Sequence, residues 1–215
     1  MVASSSSTTT TARPPSTAKG RATRDRIVAT AATLIFEQGA ESTTLDHIGE
    51  AAGVGRSQLY HYFTDKADLV GAVIERQTEQ ILAAQQPMLG AMDSWAAWGR
   101  WRNAILEAQR ARQCAGGCPI GSLASELADT DEDARVALAA GFVRWGHAIG
   151  EGVRAMQQHG RIRTDADADS LALATLASLQ GGLLLCQVHK DVRSLEAALD
   201  AAIAHLRSFA PDGSH

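Results

Sequence analysis

Ile27, Ala31, Leu34 and Ile35 recur at i, i+4, i+7 and i+8, which is the spacing of one apolar stripe along an α-helix. Gly39 stands where that helix should stop. Ser42-Thr43-Thr44 then offers an N-cap ahead of Leu45, Ile48, Ala51 and Ala52, a second and shorter helix ending at Gly53. Beyond Gly53-Val54-Gly55 the pattern predicts about two turns of helix from Ser57 to Phe63. Thr64 or Asp65 caps a fourth helix that runs through Leu69, Val73 and Ile81 toward Pro87. Further helices are predicted at about 94–114, 120–128, 132–158, 166–189 and 192–209, with breaks at Gly116-Gly117, Asp129 to Asp131, Gly160 and Asp191. No stretch alternates cleanly with period two, so the expected fold class is all-α, with short helices first and long ones after.

Two short helices joined by a glycine-containing turn are the mark of a helix-turn-helix, whose second helix enters the DNA major groove while the first crosses the backbone. Residues 45–63 fit this pattern. Leu59 and Phe63 are four apart and can pack together on Leu45 and Ile48, which leaves Arg56, Ser57, Gln58, Tyr60, His61 and Tyr62 facing outward. Arg56 suits guanine O6/N7 and Gln58 suits adenine N6/N7. Ser57, Tyr60, His61 and Tyr62 can donate to phosphates, and Thr44 and Lys66 lie at helix N-termini, where backbone N–H groups attract anions. Periodicity alone equally permits a structural helix carrying a surface aromatic cluster, with Tyr60 and Tyr62 half-buried.

Composition narrows the choice. The 215 residues carry a net charge of −4, so the chain has no global basic field for indiscriminate nucleic-acid binding, and any such binding must be local. Arg13, Lys19, Arg21, Arg24 and Arg26 face only Asp25, which makes a basic arm. The first nineteen residues are rich in Ser and Thr and lack an apolar segment, so residues 1–20 are expected to be a disordered tail. Three cysteines form an odd set with no secretory signal, which points to a reducing, cytoplasmic compartment. The most apolar run, Leu171 to Cys186, is shorter than a bilayer requires, and no membrane span is expected.

From Thr23 to Arg76 the chain resembles the DNA-binding domain of the tetracycline-repressor (TetR) family. The likeness rests on the spacing of the first helix, Gly39, the Thr43-Thr44 cap, Ala51-Ala52-Gly53-Val54, and Leu59-Tyr60-His61-Tyr62-Phe63 followed by Lys66. It assigns phosphate contacts to Thr44, Tyr60, His61, Tyr62 and Lys66, and base reading to Arg56, Ser57 and Gln58. Gly55 and Gln58 sit where such proteins vary, so the operator sequence does not carry over. The implied architecture is a DNA-binding domain over 21–68 and a helical ligand-binding and dimerisation domain over 69–210. The implied function is a repressor that binds a palindromic operator as a homodimer and is released by a small apolar or aromatic effector. A carrier protein with a vestigial helix-turn-helix is the alternative from another class.

The second part offers candidates for both remaining roles. Leu195, Leu199, Ala202, Leu206 and Phe209 step 4, 3, 4, 3, an a/d stripe suited to a dimer interface. Gly181-Gly182 lies inside the preceding helix, where close helix approach would offset the glycine penalty. A helical hairpin buried in its own chain fits the same stripe. Trp95, Trp98 and Trp101 step by three, and Phe142, Trp145 and Ile149 by three and four. With Met92, Cys118, Leu123 and His147 they are expected to line an apolar aromatic cavity, although such stripes are also the pattern of a plain core. "GCPIGSLASEL", from Gly117 to Leu127, is similar to a segment of one branch of the family, some members of which sense electrophiles through cysteine. Cys118, just before Pro119 at a helix start, would have its thiolate favoured by the helix dipole, and an inert half-buried thiol is the other reading of the same position. No residue set has metal-ligand spacing, no cofactor motif is present, and no nucleophile–base or paired-carboxylate arrangement emerges, so neither metal, cofactor nor enzyme activity is expected.

Overall fold

The computed structural model describes residues 17–211. Nine α-helices and no strand occur among the described residues. Helix α1 (Ala18–Gln38) begins where Thr17 Oγ1 accepts from Gly20 N at 3.1 Å. Ala18 to Gly20, expected in the tail, are therefore helical, because a capping hydroxyl satisfies an otherwise orphaned N–H. Residues 1–16 of that expected tail, Arg13 among them, lie outside the described residues. Helix α1 stops at Gly39, whose φ of +86° few side chains tolerate. Helices α2 (Leu45–Ala51) and α3 (Arg56–Tyr62) follow, then α4 (Lys66–Ala84). The α4 start is a reciprocal cap: Asp65 accepts from Asp68 N at 2.8 Å, and the Asp68 carboxylate accepts from Thr64 N at 3.0 Å.

The remaining helices are α5 (Trp95–Ala111), α6 (Pro119–Leu127), α7 (Glu132–Gln158), α8 (Ala168–His189) and α9 (Arg193–Arg207). A single 3-10 turn at Leu89–Ala91 leads into α5; three residues are too few to leave a periodic signal. Leu69, Val70, Val73 and Ile74 of α4 are buried with Ile27, Ala31 and Ile35 of α1. Further along α4, the Thr78 side chain packs against Gly141 of α7, where a Cβ would lie 2.7 Å from Thr78 Oγ1. Helix α4 thus runs unbroken through position 68 and belongs to both units that the sequence suggests. Trp98 and Trp101 are fully buried and meet edge to face at 5.8 Å, with Nε1 atoms donating to Met92 O at 3.2 Å and Gln85 Oε1 at 2.9 Å.

The expected dimer stripe turns inward. Leu195, Leu199, Ala202 and Leu206 are buried within their own chain. Helix α9 folds back onto α8 through Lys190, which takes φ +51°, so its most apolar face is spent on this hairpin. Arg102 of α5 reinforces the packing by forking onto Asp200 (both bonds 2.8 Å) and reaching Glu196 (2.9 Å) on α9. Large apolar side chains left exposed gather on α8, at Leu173, Leu184, Leu185 and Val188, with Val136 and Val143 exposed on α7. Helix α8 is long and apolar enough by composition to cross a bilayer, yet its other face is packed among α7 and α9.

The paired glycines divide between the two faces. A Cβ on Gly182 would lie 2.9 Å from Leu195 Cδ1 and 3.0 Å from Leu195 Cα, whereas one on Gly181 would meet nothing within 4 Å. Replacing Gly182 by Ala is therefore expected to pry α8 from α9 and lower stability by about 1–3 kcal/mol. Urea denaturation followed by circular dichroism measures it, and an unchanged midpoint would show that the two helices do not depend on this approach.

Candidate nucleic-acid interface and buried cavity

The helix-turn-helix is built on a compact turn. Ala52 N donates to Ile48 O at 2.8 Å and Val54 N to Gly49 O at 2.9 Å. Gly53 takes φ +62° with nothing near a hypothetical Cβ, so glycine is required there by conformation rather than by space. Helix α3 then presents two faces. Leu59 and Phe63, each 1% exposed, anchor it, and Arg24 of α1 lies over the Phe63 ring at 5.0 Å. Arg56, Ser57, Gln58, Tyr60 and His61 are exposed.

Two of the expected contact residues sit less freely. Tyr62 is half-buried against the core and edge to face with His61 at 5.1 Å, because position 62, three residues after Leu59, lies about 60° from it round the helix, at the margin of the buried face. Lys66 is half-buried, and its Nζ donates to Glu41 O at 3.1 Å. Thr44 is exposed, with Oγ1 accepting from His47 N at 3.2 Å as the α2 cap. The Arg56 guanidinium lies over the Tyr60 ring at 5.9 Å, and its Nε is 3.7 Å from Asp46 Oδ1. Hydrogen bonding to Tyr60, and then attraction to Asp46, raise its pKa above the ordinary arginine value.

A cavity of about 150 Å³ lies among α4, α5, α6, α7 and α8. Ile81, Ala84, Met88, Ala104, Ile105, Ala108, Leu179 and Leu183 make its apolar walls, with Trp145, Cys118 and Pro119 closing it and Gln85, Gln109 and Arg112 supplying polar groups. Of the residues expected to bind a ligand, Cys118 and Trp145 are there. Met92 and Trp98 are in the core behind it, bonded to each other through Trp98 Nε1. Trp95 is half-buried beneath Arg207, 5.2 Å from its ring. Leu123 lines a separate cavity of about 110 Å³ with Phe36, Gly39 and Glu126. Phe142 is half-buried against the core, and His147 is exposed, 3.6 Å from Glu151. Three-residue steps drift backward round a helix by about 60° each, so Trp95, Trp98 and Trp101 do not share one wall. Gln109, four residues beyond Ile105 on the buried face of α5, was the legible sign of the polar part of the cavity.

Cys118 reverses its expected chemistry. It is buried, and burial pushes its thiol pKa up despite hydrogen bonds from Gly121 and Gln180, so desolvation outweighs the helix terminus. Cys114 and Cys186 are buried too, and burial together with the Cys114 thiol pushes Cys186 up to about 12. No group of three His, Cys, Asp or Glu side chains able to hold a metal occurs among the described residues.

Residues 27–73 match the family described as bacterial regulatory proteins, tetR family, and residues 99–202 match its tetracyclin repressor-like C-terminal domain. The chain belongs to the TetR family. A TetR transcriptional regulator from Chloroflexus aurantiacus shares its fold with a TM-score of 0.72 at 28% identity, over 88% of this chain and 96% of that one. A helix-turn-helix-type transcriptional regulator of Lactococcus lactis is 28% identical over 84% of this chain and 91% of its own. The regulator AcuR of Cereibacter sphaeroides is 29% identical over 70% and 69%. SmeT of Stenotrophomonas maltophilia, solved in complex with triclosan, has the same fold at 22% identity, with a TM-score of 0.67 over 89% of this chain and 93% of its own. TetR-family members are DNA-binding regulators of transcription and not enzymes.

Because all three thiols of this TetR-family chain are buried, maleimide is expected to label the native protein slowly and the guanidinium-unfolded protein fully. Intact mass measures both, and rapid native labelling of Cys118 would refute the protected environment.

Proposed function

We propose that this TetR-family regulator is a repressor that binds a palindromic operator as a homodimer and releases it when a small molecule enters the cavity. One helix carries the reading. Helix α6 bears Cys118 and Pro119 at its cavity end and Glu126 at its other end, where Glu126 Oε1 accepts from Glu41 N at 2.7 Å. Lys66 holds the carbonyl of the same residue. Glu41 lies on the connection into α2, so a shift of α6 on filling the cavity moves the segment that orients the reading helix. A ligand acts only through its different affinity for the two arrangements, and couplings of about 1–3 kcal/mol give release factors of roughly 5–150. The triclosan complex of SmeT, which shares the fold, supports a small apolar ligand class.

On the operator, Arg56, Ser57 and Gln58 read base edges, and Thr44, Tyr60 and His61 position the helix on phosphates. The Tyr62 hydroxyl and the remaining ammonium protons of Lys66 serve at the rim of that contact. The Tyr60 and Asp46 neighbours keep the Arg56 guanidinium extended as a unit rather than disordered. The dimer forms through α8: Leu173, Ala177, Gly181, Leu184 and Val188 step 4, 4, 3, 4 and are all exposed, which is the narrow seam of a helix–helix interface. Gly181 is where the partner's helix comes close, and α9, with Leu195, Leu199, Ala202, Leu206 and the tight Gly182 contact, backs the seam from inside. Exposed apolar surface of this extent is ordinarily covered.

Operator binding measured by fluorescence anisotropy on the inverted repeat flanking the gene tests the first part. Arg56→Ala is expected to lose about 1–3 kcal/mol of discrimination at one base pair, and Glu126→Ala to weaken all operator variants about tenfold without touching DNA. Sequence-blind, salt-labile retention by the unmodified protein would instead favour a carrier. For the dimer, Leu184→Glu is expected to leave helicity unchanged but halve the mass seen by sedimentation; an unchanged mass would place the interface elsewhere.

A further inference from the structure

We propose that the molecule admitted to this cavity is a compact organic monoanion, an apolar body of about benzene size bearing one carboxylate or phenolate, held by Trp145 Nε1–H and the Arg112 guanidinium. This rests on the effector reading above and names the chemistry of that site.

The first observation is an orphaned donor. Trp145 lines the cavity at 3% exposure, and its Nε1 is buried with no hydrogen-bond partner. The other two buried indoles are satisfied, by Met92 O and by Gln85 Oε1. Leaving such an N–H unpaired forfeits its hydration without replacement. A wall donor without an acceptor in its own protein is matched by a ligand that brings one. Gln85 does not compete for the role, since its oxygen accepts from Trp101 and its Nε2 donates to Ile81 O at 3.2 Å.

The second observation is the charge of the lining. No Asp or Glu lines the cavity, and Arg112 is its only charged residue. Arg102, Arg135, Arg144, Arg154, Arg163 and Arg193 each sit on a carboxylate; Arg112 has no carboxylate partner among the described residues. Its guanidinium lies beside the following loop: Nη2 is 3.1 Å from where a Cβ on Gly116 would stand, next to the Gly117 and Cys118 of the cavity lining. An unpaired guanidinium favours a carboxylate, which it can take bidentately. A ligand ammonium would meet a like charge and no acceptor carboxylate.

Size supplies the third constraint. The cavity is half open, and its volume of about 150 Å³ between apolar walls leaves room for a body of about benzene size. Ile81, Ile105, Leu179 and Leu183 offer such a body no polar contact, so the acceptor group must lie toward Trp145 and Arg112.

Thermal unfolding of the full chain tests this with matched probes: benzoate and phenylacetate, their neutral counterparts toluene and ethylbenzene, and benzylamine. A ligand that binds only the folded state raises the midpoint by mass action. The two anions are expected to raise it, benzylamine to leave it unchanged, and Arg112→Met to weaken the anions at least tenfold while sparing toluene. Trp145→Phe is expected to act likewise; Arg112, being exposed, keeps the test valid if that core variant fails to fold. Equal shifts from toluene and benzoate, anion binding indifferent to Arg112→Met, or no shift from any probe would overturn the anion assignment. Anion binding that leaves operator affinity unchanged would instead overturn the effector reading and leave this assignment standing.

Discussion

One apolar seam along α4 governs this molecule. Its first half, Leu69, Val70, Val73 and Ile74, closes the small N-terminal unit against α1, and its second half, through Thr78, docks on Gly141 of α7. A helix-turn-helix of two seven-residue helices buries too little surface to be stable alone. Sharing α4 lets it draw on the core of the larger unit. The seam also makes the two units mechanically one body, since a packed interface shifts between discrete arrangements rather than deforming smoothly.

That shared body sets what each face can do. Because Leu59 and Phe63 are spent on the core, Arg56, Ser57, Gln58, Tyr60 and His61 are left exposed on the outer side of α3. Because Trp98 and Trp101 fill the centre of the larger unit with their N–H groups satisfied, the free volume is displaced toward Trp145, Cys118 and the α4–α5 wall. Helix α6, nine residues long, spans the two, with Pro119 on the cavity and Glu126 bonded to Glu41 N.

Charge is deployed locally rather than globally. The chain is net acidic, yet α1 opens with Lys19, Arg21, Arg24 and Arg26, and α3 opens with Arg56. Across the larger unit Arg102 pairs with Glu196 and Asp200, Arg144 with Glu75 and Arg154 with Asp169, each from one helix to another. Such partly exposed pairs add little stability each, but they fix helix register, and they leave Arg112 distinct as a cation in the cavity lining with no carboxylate of its own.

Periodicity and glycine placement alone determined the helix count of the long elements, the turn at Gly53, the stop at Gly39 and the two-faced character of α3, because each follows from local rules of spacing and backbone conformation. Segment 132–158 coincides with α7 for that reason. The sequence could not say which apolar stripe meets which. Leu195, Leu199, Ala202 and Leu206 have the spacing of an interface between chains and lie between helices of one chain, since a stripe records that a face will be buried and not what buries it. Met92, Trp95, Trp98, Leu123, Phe142 and His147 do not line the main cavity, whereas Gln109 and Arg112 do. Cavities and thiol acidity arise from what several helices leave unfilled or desolvated together, and only the tertiary packing decides that.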